Sequence, residues 1–450
     1  MPLKLRCFPP RHGAAVIIAF SVLLDGRSNA ADGPTTVATE PAFPGAEGWA
    51  AHTPGGRGGR ILRVTTLAAT GAGSFLEALN APGPRIIVFE VGGPIDLGGK
   101  TIKLTEPYVT IAGQTAPDPG VTLIRGQFLI QAHDVVLRHL RIRPGEAGHA
   151  KKSGWEVDGI STSRGAYDVI VDHCSFEWAT DENLSASGQA FVGATPEEWR
   201  KHTSHRITFS NNIIAEGLSH STHSEGEHSK GTLVMDNVTD VLIKGNLYAS
   251  CSQRYPLAKG GTWVAVVNNF MYNAVGQAVG YLLPDKLWHD RVRVNGKMDL
   301  IGNVLHAGPD TPRQLALLRF AGIGDLDLHL HDNVNVDRDG QPVRLVDPHP
   351  TATGRIIEHS SPVNLPEGLP ILPSSKVIES VCRNAGARPW DRDATDRRVV
   401  RTSLDGTGHL INSEGEVEGY PPATETRRAF NPAEWDLGTM TRKSGSEPAP

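Results

Sequence analysis

The side chains best equipped for chemistry lie between Glu156 and Lys259. Glu156, Asp158, Asp181 and Glu182 are carboxylates, the donors a hard dication such as Ca2+ requires in number. Paired carboxylates also serve as acid and base, and Asp181 with Glu182, or Asp158 with Asp172, would supply such pairs. Glu156 and Asp158 stand two apart and share a face if their segment is extended. Solvated surface turns are the alternative reading of these acids. Arg254 precedes Tyr255-Pro256, whose ring restricts the local turn. An arginine stays protonated up to about pH 12 and becomes a base only where neighbouring cations and water exclusion penalise its charge. A solvated loop arginine is the alternative reading of Arg254. His220, His223 and His228 occupy one long loop between Glu216 and Lys230 without zinc-motif spacing, so they are read as groove-lining. His173, in Val-Asp-His-Cys, reads as a buried, hydrogen-bonded residue.

These residues must be held by a frame, and the frame is repetitive. Short β-branched segments recur, among them Val169-Ile170-Val171, Ile207-Thr208-Phe209, Val241-Leu242-Ile243, Val264-Ala265-Val266 and Leu300-Ile301. Equivalent positions are roughly 20 to 40 residues apart, the period of a solenoid. Each unit reads strand, bend, strand, and cannot bury its apolar face without stacked neighbours. Asn212, Asn246, Asn269, Asn303 and Asn333 fall in the same frame at the bend, which predicts a ladder of side-chain hydrogen bonds from coil to coil. The fold class predicted is all-β, a right-handed parallel β-helix, over residues 42–345. Residues 346–450 form a tail that caps or wraps it, with a helix-like stretch near 375–385 and a disordered end.

Composition agrees with many short strands and turns: Gly 49 and Pro 32 are abundant. Lys and Arg number 44 against 49 Asp and Glu, a balance that excludes a generally basic nucleic-acid binder. Residues 1–30 read as an export signal: Lys4, Arg6 and Arg11, then apolar Ala14 to Leu24, then Ser28-Asn29-Ala30. The apolar run is shorter than the roughly 20 residues a membrane span needs. Residues 31–41 follow as a linker. Without Cys7, the three remaining cysteines cannot form a paired framework, and Cys174 reads as a buried thiol. The glycine-rich stretch from Pro44 to Arg60 lacks the GK[ST] of a phosphate loop and reads as a turn-rich first coil. Asn183-Leu184-Ser185 and Asn237-Val238-Thr239 fit the glycosylation acceptor pattern, which predicts a glycoprotein in a host that glycosylates.

From Ala42 to about Val336 the chain resembles polysaccharide lyase family 1, the pectate and pectin lyases. The resemblance rests on Ala42-Phe43-Pro44-Gly45-Ala46-Glu47-Gly48, Ile111-Ala112-Gly113-Gln114-Thr115-Ala116-Pro117, Asp158-Gly159-Ile160-Ser161, Val171-Asp172-His173-Cys174-Ser175 and Gln253-Arg254-Tyr255-Pro256, and continues loosely through Gly386 to Asp393. It implies β-elimination across the glycosidic bond of an acidic polysaccharide such as polygalacturonate, assisted by Ca2+, by a secreted monomer. It implies Asp158 and Asp181, with Glu156 and Ser185, at the metal; Arg254 as base with Lys230 beside it; and Lys259, His223, His228 and Trp178 toward substrate. Trp155 and Trp178 suit sugar stacking or core packing equally. Ser185 is a departure, since many relatives carry Asp there, and Glu182 is the residue that can compensate. A β-helix glycoside hydrolase and a non-catalytic polysaccharide binder are the competing functions.

Overall fold

The structure is a computed structural model that describes residues 40–443. The expected signal (1–30), nearly all of the linker and residues 444–450 lie outside the described residues. Three parallel sheets are wound by one chain. Sheet A holds eleven strands, from Arg60–Val64 to Ile356–Glu358. Sheet B runs from the first half of Val121–Ile130 through Arg141–Arg143, Ser175–Glu177, Ile213–Ala215, Leu247–Ala249 and Phe270–Tyr272 to Val334–Val336. Sheet C runs from the second half of Val121–Ile130 through Ile160–Thr162, Glu182–Ala186, Lys230–Val234 and Leu257–Lys259 to Val346–Pro348. Each coil contributes one strand to each sheet, and crossovers of this kind are right-handed. The predicted β-helix is the fold observed. Its pairing continues to Glu358, past the expected boundary at 345.

The bend between sheets A and B shows why the repeat reads as it does. One residue per coil adopts a left-handed backbone: His139, His173, Asn211, Gly245, Asn268, Gly302 and Asp332. Gly and Asn tolerate that conformation best. The residue after it enters the ladder. The Asn246 amide oxygen accepts from the Asn212 backbone N–H at 2.9 Å and from its side-chain N–H at 3.0 Å. Asn269 does the same for Asn246, Asn303 for Asn269 and Asn333 for Asn303. All five predicted asparagines are in the ladder, and the Cys174 N–H donates to Asn212 at its end. Replacing Asn246 by alanine strands buried partners on both neighbouring coils, at about 1–3 kcal/mol per group. The expected loss is about 3 kcal/mol, measurable as a lowered urea midpoint with an unchanged slope.

Alternate strand residues fill the interior, for example Ile207, Phe209, Val241, Ile243, Val264 and Val266. The outer faces of A and B are apolar as well and are covered. Helices Val377–Asn384 and Ala394–Asp405 pack Val377, Val381, Cys382 and Val399 on Ile213, Leu247, Phe270 and Val304 of sheet B. The glycine-rich segment is not a first coil. It is a strap across the outside of sheet A, with Phe43 and Ala50 on Val136 and Ile170. At Gly56 a Cβ would lie 1.8 Å from the Arg85 carbonyl, so the strap approaches the sheet only as glycine. The end of the tail returns too: Thr441–Arg442 pairs with Trp435–Asp436, within the stretch expected to be disordered. Sheet C presents Ser161, Ser185, Lys259 and Arg319 outward and receives none of these apolar coverings.

Candidate active site

The residues of interest come from one corner. The chain passes from sheet B to sheet C through residues 144–159, 178–181, 216–229 and 250–256 in four successive coils. Stacking the coils therefore stacks Asp158, Asp181, the histidine loop and Arg254, although up to 96 residues separate them. Lys230 opens the next sheet C strand opposite Glu182 and bridges to Gln253. Arg254 has φ +73°, a left-handed conformation disfavoured for a long side chain. It is held there by its neighbours. Tyr255 is fully buried, and its hydroxyl accepts from the Cys251 N–H at 2.7 Å. The Arg254 carbonyl accepts from the Thr232 N–H at 2.7 Å, and a Cβ on Gly231 would lie 2.5 Å from that carbonyl. With Tyr255 anchored inward, Arg254 points out to the corner, largely buried and in an ion pair with Glu182.

Asp158, Asp181 and Glu182 each offer a carboxylate oxygen within 4.8 Å of the others. Burial, then the charge of Asp181, raises the pKa of Asp158 well above the carboxylate range, while hydroxyls of Ser161 and Ser185 partly offset this. The Ser185 hydroxyl is itself buried without a well-aligned hydrogen bond. Burial opposes ionisation of Asp181 also, but a 2.7 Å hydrogen bond from His228 and the charges of His228, Arg254 and His223 outweigh it and lower its pKa. Burial lowers the pKa of Arg254, against the attraction of Asp181 and Asp158. Burial likewise lowers Lys230. Lys259 stands 3.8 Å from Asp236, whose other oxygen accepts from Trp288 at 2.6 Å.

Several expected roles do not match the geometry. Trp178 is fully buried, donates to Glu216 at 3.3 Å and lies edge-on to Tyr420 of the tail, so it presents no face to a sugar. Trp155 remains half-buried beside the site, its ring stacked on His149. Glu156 is not on a strand; the Ser224 N–H and hydroxyl hold it away from the acidic cluster and lower its pKa. His223 and His228 are buried and stacked, centroids 3.6 Å apart, and are turned onto Asp181 rather than outward. Asp172 belongs to the opposite bend, paired with Arg138 and His173, so it makes no pair with Asp158. His173 is hydrogen-bonded to Asp172 as expected, but it is half-buried at the bend rather than buried. Asn183 and Asn237 are fully buried with their amides donating to Ala215 and Ala190 carbonyls, so neither acceptor site is open to a glycan. Cys174, Cys251 and Cys382 are free and buried.

No family model matches the chain. A probable pectate lyase C of Aspergillus fumigatus is 32% identical over 413 residues, covering 88% of this chain and 87% of its own. One of Emericella nidulans is 36% identical over 408 residues, covering 86% and 83%. Among solved structures, the thermostable pectate lyase PL 47 superposes with a TM-score of 0.54 at 16% identity, covering 76% of this chain and 97% of its own, a likeness of fold. Sequence identity over nearly the whole length, on this parallel β-helix, decides the matter: the chain belongs to the pectate lyase family.

Proposed function

We propose that the chain is an exported enzyme that cleaves polygalacturonate by β-elimination, with Arg254 as the base. The observation that carries this reading is the half-buried guanidinium of Arg254 held beside Asp158, Asp181 and Glu182 at the corner between sheets B and C. Arg254 takes the C5 proton of a uronate. The released electron pair forms the C4–C5 double bond, and the C4–O bond breaks toward the departing sugar, whose oxygen takes a proton from solvent. Burial makes the neutral guanidine more accessible than in water. Glu182 holds the resting side chain in place, so it reacts when Glu182 is engaged elsewhere. Lys230 and Lys259 suit substrate carboxylates, as expected of them. His223 and His228 position Asp181 and keep it ionised.

The donor set fits Ca2+: three carboxylates converge, and Ser185 adds a buried hydroxyl oxygen without a well-aligned partner. Glu182 thus supplies the carboxylate that Ser185 lacks. Bound there, Ca2+ would withdraw charge from the C6 carboxylate and make the C5 proton more acidic. Chelation is expected to lower the rate at least about a hundredfold, a few kcal/mol of barrier. Asp181→Asn should raise the Ca2+ concentration for half-maximal rate about tenfold. The check is the ultraviolet absorbance of the unsaturated product over a Ca2+ titration; a chelator-insensitive rate would remove the metal from this account. No helix among the described residues is long and apolar enough to cross a membrane.

A further inference from the structure

At a different corner, between sheets A and B, lies a cavity of about 470 Å3 roofed by the tail. Its lining includes Gln114, Arg388, Trp390, Arg428, Trp435 and Arg442. Here the structure leaves hydrogen-bonding groups unused. Arg388 is buried, and its Nε has no partner; the Arg442 Nε and Gln114 Oε1 are likewise buried and unpaired. Arg388 is paired with Asp391, whose carboxylate shares a hydrogen bond with an Asp118 carboxyl held above its ordinary pKa by burial, and Arg442 with Glu434. The Arg428 guanidinium donates to the Thr115 and Ala116 carbonyls and has no carboxylate in ion-pair range among the described residues. The cavity therefore carries surplus positive charge. Trp390, exposed to 56%, forms an aromatic edge beside His139.

The unused groups describe a ligand. The arginines that line the cavity, Arg388, Arg428 and Arg442, call for a carboxylate, which matches arginine geometry. The Gln114 oxygen calls for a hydroxyl. An exposed indole offers the flat apolar surface on which a sugar ring rests. We propose that this cavity is a second saccharide site, which takes a uronate unit and tethers the polymer away from the cleavage corner. The choice of uronate rests on the proposed function; the demand for an anion with hydroxyls does not.

The test uses the full chain carrying Arg254→Ala, so that trigalacturonate stays intact, and follows hydrogen exchange on its addition. Protection is expected at residues 388–390 and 428–442 as well as at the cleavage corner. Trp390→Ala and, separately, Arg428→Gln should weaken the tail protection about tenfold, a loss of 1.4 kcal/mol. Trp390→Ala touches an exposed side chain, so its thermal transition should stay in place. No protection at the tail segments, or equal protection by neutral galactotriose, overturns the proposal. Either result leaves the lyase reading standing. Conversely, tail protection by trigalacturonate beside a wild-type chain that forms no unsaturated product would overturn the lyase reading alone.

Discussion

Replacing Arg254 by alanine is expected to lower kcat on polygalacturonate about a thousandfold, within the range a positioned proton acceptor contributes. The physical case is one of placement. The anchored Tyr255, the close pass of Gly231 and the left-handed backbone at Arg254 fix where the guanidinium sits before substrate arrives. The same substitution also strands Glu182, a buried carboxylate, and breaking such a pair costs about 3–5 kcal/mol. Loss of activity alone would therefore be ambiguous. Arg254→Lys resolves it: a cation beside Glu182 is kept, so the thermal midpoint should fall less than in Arg254→Ala. Activity should still drop sharply, because the ammonium differs in reach and basicity. If Arg254→Lys keeps near-normal kcat, the base is some other group. Gly231→Ala provides a gentler probe. It pushes on the Arg254 carbonyl and should lower kcat without removing any reactive atom.

The second large effect concerns the tail. Asp396 is wholly buried and accepts from Arg143 at 2.9 Å, from Ser175 at 2.9 Å and from Arg141 at 3.3 Å. Arg143 is also paired with Glu177 and Asp393. This network binds helix Ala394–Asp405 to sheet B. Asp396→Ala leaves two buried guanidinium groups short of charge, and about 3–5 kcal/mol of stability should go. Urea denaturation would show a lower midpoint, and limited proteolysis should reach the tail first. The network also carries a pH dependence. Burial disfavours charge on Asp393, but Arg143 and Arg141 overcome it and hold its pKa well below the ordinary value. A group lowered on folding contributes fully above its unfolded pKa, about 3.9, and loses that contribution as pH falls through the acid range. Glu177 is shifted the other way by burial and offsets part of it. The acid destabilisation of wild type should therefore be blunted in Asp393→Asn, seen as a flatter midpoint below about pH 4.

What was legible in the sequence divides along physical lines. The solenoid was legible because its determinants are local and repeated: an interior residue every second position, a left-handed bend, an asparagine after it. Asp158, Asp181, Lys230 and Arg254 were read through motifs of the family resemblance, and the structure brings them to one corner because each lies just before, or at, a sheet C strand. The roles that failed depend on which remote segment arrives. Trp178 is covered by Tyr420, more than 200 residues later, and nothing near Trp178 announces that. Glu156 is claimed by Ser224, and Asp181 by His228, through the fold of an irregular loop with no periodicity to read. The Asn183 acceptor pattern sits in a strand whose amide is spent on the next coil. Glu182 was the near miss. It was the residue able to replace the missing acid at Ser185, but its ion pair with Arg254 is a contact between coils that spacing alone does not reveal.

The reaction itself is tested most directly by the products from a defined oligogalacturonate, analysed by mass spectrometry with Ca2+ present. Elimination places a C4–C5 double bond at the new non-reducing end of the fragment from the reducing side and adds no water, so the fragment masses sum to that of the substrate. That is the result predicted for the wild-type chain, lost in Arg254→Ala and on chelation. Fragments that together weigh one water more than the substrate would identify a hydrolase and contradict the account.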